Sequence, residues 1–311
     1  MNKAVVTGGA GFIGSHLAEA LVERGYHVTI VDDLSTGHQE NIRHLLEGGA
    51  AEFVRGSVED AGLLGEAFRG AKYVFHLAAL PSVPRSIADP VTTHHINASG
   101  TLGVLVAARD AGVSKVVYAS SSSAYGDTPT LPKQEDMTPH PQSPYAVAKL
   151  TGEYYCSVFQ KVYGLETASL RFFNVYGPRQ NPDSQYAAVI PRFISMLARG
   201  EAPTIYGDGE QTRDFTFVLD VVQANIKAAE GDGCGTFNVG TGKRISLNGL
   251  TGEMVRLMDS EVTPVHVEAR PGDVLHSLAD ISRAGAFGYL PAYSLEDGLR
   301  QTVEYLKKAA S

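Results

Sequence analysis

Tyr145 and Lys149, four apart in Tyr145-Ala146-Val147-Ala148-Lys149, are the residues best placed to do chemistry. On a helix that spacing puts both on one face. A phenol titrates near pH 10, so acting as a base at neutral pH requires about 4 kcal/mol of extra stabilisation of its anion. A neighbouring ammonium and a cationic ring carry charge of the right sign. Upstream, the run Ser120-Ser121-Ser122-Ser123 closes an apolar segment and offers a hydroxyl to a reacting oxygen. Alone, such a tyrosine–lysine pair is as readily a surface feature. The N-terminal turn Thr7-Gly8-Gly9-Ala10-Gly11-Phe12-Ile13-Gly14 changes its meaning. Gly8, Gly11 and Gly14 fit G-x-x-G-x-x-G, and Gly9, Gly11 and Gly14 fit G-x-G-x-x-G. Glycines there allow a tight turn and close approach to a pyrophosphate, which then sits at a positive helix end. The next apolar run ends in Asp32, about 20 residues on, where an acid binds ribose hydroxyls and repels a 2′-phosphate. The expected cofactor is therefore NAD. The expected chemistry is hydride transfer at a hydroxyl or ketone carbon, with Ser121, Tyr145 and Lys149 handling the proton.

The scaffold for these groups is legible from periodicity. Lys3-Ala4-Val5-Val6, Val28-Thr29-Ile30-Val31, Tyr73-Val74-Phe75-His76-Leu77, Lys115-Val116-Val117-Tyr118-Ala119 and Thr167-Ala168-Ser169-Leu170-Arg171 read as strands. Most are continuous and β-branched, as strands buried on both faces of a parallel sheet are. His16 to Arg24, Leu63 to Phe68, Thr101 to Asp110 and Tyr145 to Val162 show helical periodicity, with Gly25, Gly70, Gly112 and Gly164 as stops. The alternation predicts an α/β fold, a doubly wound parallel Rossmann sheet. After about Asn174 proline and glycine become frequent and the apolar segments shorten. Phe215 to Glu230 still reads as a strand end and helix, and Thr236-Phe237-Asn238-Val239 as a strand. The expected division is an NAD-binding domain over 1–174, with returns at about 214–240, and a smaller interleaved C-terminal α/β substrate lobe over 175–213 and 241–311. No Gly/Ser-rich linker separates them, so they should pack as one unit.

Composition narrows the function classes. The 311 residues are 43% hydrophobic and 19% charged, enough for a sizeable core. A net charge of -8 argues against a general nucleic-acid binder. Two cysteines, Cys156 and Cys234, give no disulfide framework and suggest a reducing, cytoplasmic setting. No apolar run reaches membrane-spanning length, and the opening strand leaves no room for a signal peptide. His76 ends a strand and reads as packing; His94 and His95 are adjacent, and no metal site is expected.

Taken together, the motifs resemble the extended short-chain dehydrogenase/reductase family over nearly the whole chain. The similarity rests on the opening turn, His76-Leu77-Ala78-Ala79, Ser121-Ser122-Ser123-Ala124-Tyr125-Gly126, the tyrosine–lysine pair, Arg171-Phe172-Phe173-Asn174-Val175-Tyr176-Gly177-Pro178-Arg179, Gly207-Asp208-Gly209-Glu210-Gln211-Thr212-Arg213-Asp214-Phe215 and Arg270-Pro271-Gly272-Asp273. Within the family it looks most like UDP-hexose 4-epimerases, particularly those acting on UDP-N-acetylglucosamine and UDP-N-acetylgalactosamine. The resemblance implies cofactor contacts from Gly8, Gly11, Phe12, Ile13, Gly14, Asp32, Ser57, Val58, Leu77, Ala78, Ala79, Tyr145 and Lys149. Asn174, Arg213 and Arg270 fall at positions that hold the diphosphate, where a guanidinium offers a planar donor fork. Asp273 falls at the uridine ribose; Val189, Ile205 and Tyr206 lie in segments lining the uracil pocket. Ser121, Ser122 and Tyr145 face the sugar. Ser277 falls where enzymes limited to UDP-glucose and UDP-galactose carry a bulky tyrosine, which leaves space for an N-acetyl group. Ser57 stands where the family usually has Asp, and Pro81 replaces a lysine found in some members.

The resemblance implies C4 epimerisation of a UDP-sugar through a 4-keto intermediate by a homodimer, which the family builds through helices near Thr101 to Asp110 and Tyr145 to Val162. UDP-glucuronate 4-epimerases usually have Thr at the position of Asn174. Dehydratases need an acid pair where Ser122 and Ser123 stand. Decarboxylases of UDP-glucuronate carry a glutamate in that segment. A simple dehydrogenase would release NADH stoichiometrically. A non-catalytic NAD sensor would be expected to have lost Tyr145 or Lys149.

Overall fold

The computed structural model describes residues 2–182, 188–269 and 275–310, the side chains of 309 and 310 apart. Seven strands make one sheet: β1 (Lys3–Thr7), β2 (His27–Asp32), β3 (Ala51–Arg55), β4 (Ala71–His76), β5 (Lys115–Ser121), β6 (Glu166–Phe172) and β7 (Gly235–Val239). Their order is β7-β6-β5-β4-β1-β2-β3, and every pairing is parallel. The chain reverses direction across the sheet between β1 and β4, and ligands of such sheets bind at the carboxyl ends beside that switch point. The glycine turn, Asp32, His76 and Ser121 all stand at those ends.

The longer helices among the described residues build the layers: α1 (Phe12–Glu23), α2 (Ala61–Ala67), α3 (Gly100–Asp110), α4 (Pro144–Tyr163), α5 (Val189–Ala198), α6 (Val218–Glu230), α7 (Leu247–Met258) and α8 (Leu295–Ala310). Successive strand side chains point to opposite faces, so Val6, Ile30 and Phe75 join Leu17, Leu21, Val222 and Ile226 from α1 and α6. Val5, Val31 and Val74 join Leu64, Val104, Leu105, Cys156 and Phe159 from α2, α3 and α4. A third cluster, with Ile190, Phe193, Ile194, Leu250, Met254, Leu299 and Val303, packs α5, α7 and α8. Thr204–Tyr206 pairs with Val265–Val267, and Thr212–Arg213 with Ile245–Ser246. No helix among the described residues is long and apolar enough to cross a membrane.

The four glycine stops occupy the left-handed region, at φ from +67° to +80°. One helix start and one strand depart most from expectation in this sheet and its helices. The glycine turn opens α1 at Phe12, not His16. The edge strand β3 was not anticipated, because Ala51-Glu52-Phe53-Val54-Arg55 is half polar and pairs on one side only.

Candidate active site

The glycine turn is packed against backbone on one side and open on the other. Gly8, at φ +69°, donates its N–H to Val31 O at 2.8 Å. A Cβ there would lie 2.6 Å from Ala78 N. One at Gly14 would lie 2.1 Å from Gly8 O, so helix and turn meet at a distance only glycine permits. A Cβ at Gly11 would meet only Gly8 O, at 3.1 Å. Gly11 is the N-cap of α1 and has no capping side-chain bond, so the first-turn N–H groups are presented to an anion. Phe12 and Ile13 behind it pack onto the lobe cluster.

At the end of β2, the Asp32 carboxylate accepts from Ala10 N at 2.9 Å and Leu34 N at 2.8 Å. Burial pushes its pKa up against those bonds. Each oxygen keeps lone-pair capacity for a ribose hydroxyl. Ser57 is half-buried and its Oγ accepts from Glu59 N at 3.2 Å. Val58 packs its side chain into the core, which leaves Ser57 as the polar group at this end. Leu77 N donates to Thr7 O at 3.1 Å; Leu77, Ala78 and Ala79 are half-buried beside the turn. His76 is buried between Thr7 Oγ1 at 2.7 Å and Thr101 Oγ1 at 2.9 Å, as a packing residue should be.

The proton-handling set converges where β5 ends. Ser143 caps α4, accepting from Ala146 N at 3.1 Å, with Pro144 opening the helix. Tyr145 therefore lies in the first turn, where the helix dipole favours an anion. Ser121 stands near enough to its phenol to favour the ionised form. Ser121 Oγ accepts from Ser123 N at 3.2 Å, and Ser122 opens the short turn Ser122–Tyr125. Lys149 is buried, donates Nζ to Ala119 O at 2.9 Å, and lies 5.1 Å from the centre of the Tyr118 ring. Burial lowers its pKa to about 7. Burial also pushes the Tyr145 phenol up, with Ser121 pulling back. The expectation that Lys149 depresses the phenol is thus not met by the chain alone, because both groups are desolvated together. The expected depression calls for a second positive charge beside Lys149, which an oxidised nicotinamide ring would supply when bound.

A cavity of about 280 Å³ lies against the start of α5. Asn174, Val189, Tyr206 and Arg213 all line it, with Arg192, Phe193 and Phe215 among the others. Asn174, at φ +29°, donates Nδ2 to Asp214 O at 2.9 Å. Arg213 reaches Leu275 O at 3.1 Å. Ile205 is a correction: its side chain is buried in the lobe core, because strand alternation turns its neighbours Thr204 and Tyr206 to the cavity instead. Ser277 is nearly buried, and its N–H donates to Thr212 O at 3.0 Å beside Arg213. Arg270 and Asp273 lie outside the described residues. Sequence reasoning missed Arg192, Phe193 and Asp214. The Asp214 carboxylate gathers Thr241 N, Thr241 Oγ1, Gly242 N and Ala279 N within 3.1 Å. It thereby ties the loop after β7 to the segment carrying Ser277. Its signal was its place beside Arg213 inside the quoted motif. Among the described residues no cluster of three metal-ligating side chains exists.

A Rossmann sheet with a dinucleotide turn and a Ser–Tyr–Lys set at its carboxyl edge defines a nicotinamide-dependent enzyme. The NAD dependent epimerase/dehydratase family model matches residues 4–240, and the chain belongs to that family. It is 40% identical to the UDP-glucose 4-epimerase of Mycolicibacterium smegmatis, over 98% of each chain. Among solved structures it is similar to a UDP-N-acetylglucosamine 4-epimerase from Methanobrevibacter ruminantium in complex with UDP-N-acetylmuramic acid. That match has 41% identity and a TM-score of 0.96 over 99% of each chain. A UDP-glucose 4-epimerase with UDP-glucose from Thermotoga maritima matches at 40% identity and TM-score 0.95, over 99% of this chain and 100% of that one. The family's cofactor is NAD, and the chain's own geometry fits it: the open Gly11 cap, the close Gly8–Gly14 approach and the Asp32 carboxylate.

Proposed function

We propose that this chain is a UDP-sugar 4-epimerase acting on UDP-N-acetylglucosamine and UDP-N-acetylgalactosamine, with UDP-glucose and UDP-galactose as further substrates. The observation that carries the reading is the convergence of Tyr145, in the first turn of α4, with buried Lys149, whose Nζ donates to Ala119 O, and with Ser121 at the end of β5. Bound NAD supplies a hydride acceptor at C4 of the sugar and returns the hydride. Tyr145 takes the 4-hydroxyl proton, Ser121 holds that oxygen, and Lys149 holds the nicotinamide ribose. Asn174 and Arg213, joined by Arg270 and Asp273, anchor the nucleotide, with Val189 and Tyr206 against the base. The 4-keto sugar would then turn about its diphosphate bond to present its opposite face, and Tyr145 would return the proton to the 4-oxygen. A firm nucleotide grip with a loosely held sugar is what this needs. Relatives of equal similarity act on acetylated and plain sugars, so the preference rests on Ser277, whose small side chain leaves room for an N-acetyl group.

Two structural readings accompany it. Residues 175–213 and 241–311 serve as the nucleotide-sugar lobe on an NAD-binding domain. Two copies pair through α4, whose outer face exposes Val147, Tyr154, Val158 and Val162 beside Ile87 and Val91. The free thiols Cys156 and Cys234 support a reducing, cytoplasmic setting, which cell fractionation tests.

Product analysis of the purified enzyme without added cofactor tests the reaction. The C4 epimer of UDP-N-acetylglucosamine is the expected product. Tyr145→Phe should lower turnover by at least about 10²-fold, the usual contribution of a positioned acid–base group, while keeping the fold. Full activity in that variant, or no epimer from any UDP-hexose even with NAD supplied, overturns the reading.

A further inference from the structure

Directly beneath the catalytic groups lies a buried ion pair that the reaction above does not use. Glu153 follows Lys149 by four residues and Tyr145 by eight, so all three stand on one face of α4. Its carboxylate is gripped from β6 by Arg171, with Nε to Oε1 at 2.9 Å and Nη2 to Oε2 at 2.7 Å. Both side chains are about 5% exposed or less. Oε1 also accepts from the hydroxyl of Ser120, the residue before Ser121 on β5. On its other side the Arg171 guanidinium lies 4.6 Å from the centre of the Tyr125 ring. The Tyr125 hydroxyl donates to Asn238 Oδ1 at 2.6 Å, and Asn238 Nδ2 holds Lys133 O and Asp280 O.

We propose that Glu153, Arg171 and Ser120 are positioning residues, which fix the register of the Tyr145–Lys149 face of α4 against the strand that presents Ser121. Three features argue for this over plain packing. The cluster joins the two elements that carry the proton-handling groups, at the residue adjacent to one and one helical turn from the other. A bidentate pair fixes angle as well as distance, whereas apolar contacts between α4 and the sheet leave sliding cheap. A buried ion pair also adds little stability over well-packed apolar residues, so its presence here is better explained by geometry. Arg171 holds the Glu153 carboxylate one turn along, while Lys149 Nζ donates to Ala119 O. The Tyr118 ring also faces Lys149, and the Lys149 charge acts on His76.

The inference rests on the roles proposed for Tyr145 and Lys149, and the test separates the two. Glu153→Leu with Arg171→Met replaces the pair by apolar groups of similar size. If the pair only packs, the double variant regains both thermal stability and turnover. If it positions, stability returns while kcat for epimerisation stays at least about tenfold down, since a misplacement near 1 Å costs up to about 10²-fold. KM for the UDP-sugar stays within about twofold, because the cavity residues are untouched. Should the double variant not fold, Ser120→Ala reports alone: a severalfold loss of kcat at constant KM supports the proposal, and unchanged kcat overturns it. Tyr145→Phe is run beside them. Activity there sinks the catalytic assignment itself, whereas an inactive Tyr145→Phe with a fully active double variant sinks only the positioning role.

Discussion

At residue scale, Tyr145 is the most informative case. Its spacing to Lys149 was legible because helical geometry is local: residues four apart share a face whatever the fold. Its electrostatics were not legible, since burial acts on the whole neighbourhood and pushes the phenol up while bringing Lys149 to about 7. With the phenol pushed up by burial, the base role proposed for Tyr145 calls for a further positive charge, which oxidised NAD would supply when bound. Ser277 is a second residue whose proposed role rests on size. It sits beside Arg213 on the segment pinned by Asp214 through Ala279. Ser277→Tyr should cut kcat/KM for UDP-N-acetylglucosamine at least about tenfold more than for UDP-glucose, because an overfilled site costs about 1–3 kcal/mol. Parallel kinetics on the two substrates check this, and an equal loss on both removes Ser277 as the size gate.

At the scale of elements, α4 does two things with two faces. One carries Tyr145, Lys149 and Glu153 and buries Cys156 and Phe159 with them against the sheet. The other exposes Val147, Tyr154, Val158 and Val162, with Tyr154 at 58% and Val162 at 65%. Exposed apolar residues in one stripe, flanked by Ile87 and Val91, form a patch rather than scattered exposure. A two-fold axis would set the stripe against itself. Val158→Asp should convert a dimer into a monomer by light scattering, with epimerase activity per chain reduced less than the association. A monomeric wild-type protein would remove the interface. The helix bounds were readable from periodicity to within about two residues, save where the glycine turn began α1 early. The lobe was less readable. In α8, Leu299, Val303 and Leu306 follow helical spacing, but α5, α7 and α8 alternate with loops and two- or three-residue strands whose pairing is set by distant partners. Ile205 and Tyr206 show the same limit: sequence placed both at the pocket, and only the pairing of Thr204–Tyr206 with Val265–Val267 decides which faces it.

For the whole molecule, the site is assembled from strand ends far apart in sequence, so its integrity and the fold's stability share the same buried groups. His76 is the clearest. It bridges β1 and α3 through Thr7 and Thr101 and stacks on Tyr118, the ring beside Lys149. Burial holds its pKa down to about 3, with the Lys149 charge adding to the effect; His16 is likewise lowered to about 4, first by burial and then by Arg179. In the unfolded chain both titrate near 6.5. Between those values the unfolded state binds more protons, so stability is fully present above about pH 6.5 and is lost as pH falls toward 3. For His76 the slope is about 1.4 kcal/mol per pH unit, or about 2 kcal/mol between pH 6.5 and 5. Asp32 and Asp214, pushed up by burial, oppose the trend at lower pH. The informative comparison is therefore between wild type and His76→Gln, which keeps a donor and an acceptor but does not titrate. Thermal midpoints from pH 7 to 5 should fall more steeply for wild type than for the variant, although the variant starts lower. Parallel curves would mean that His76 is not neutral in the fold, and the acid sensitivity would then lie with His16 and the carboxylates.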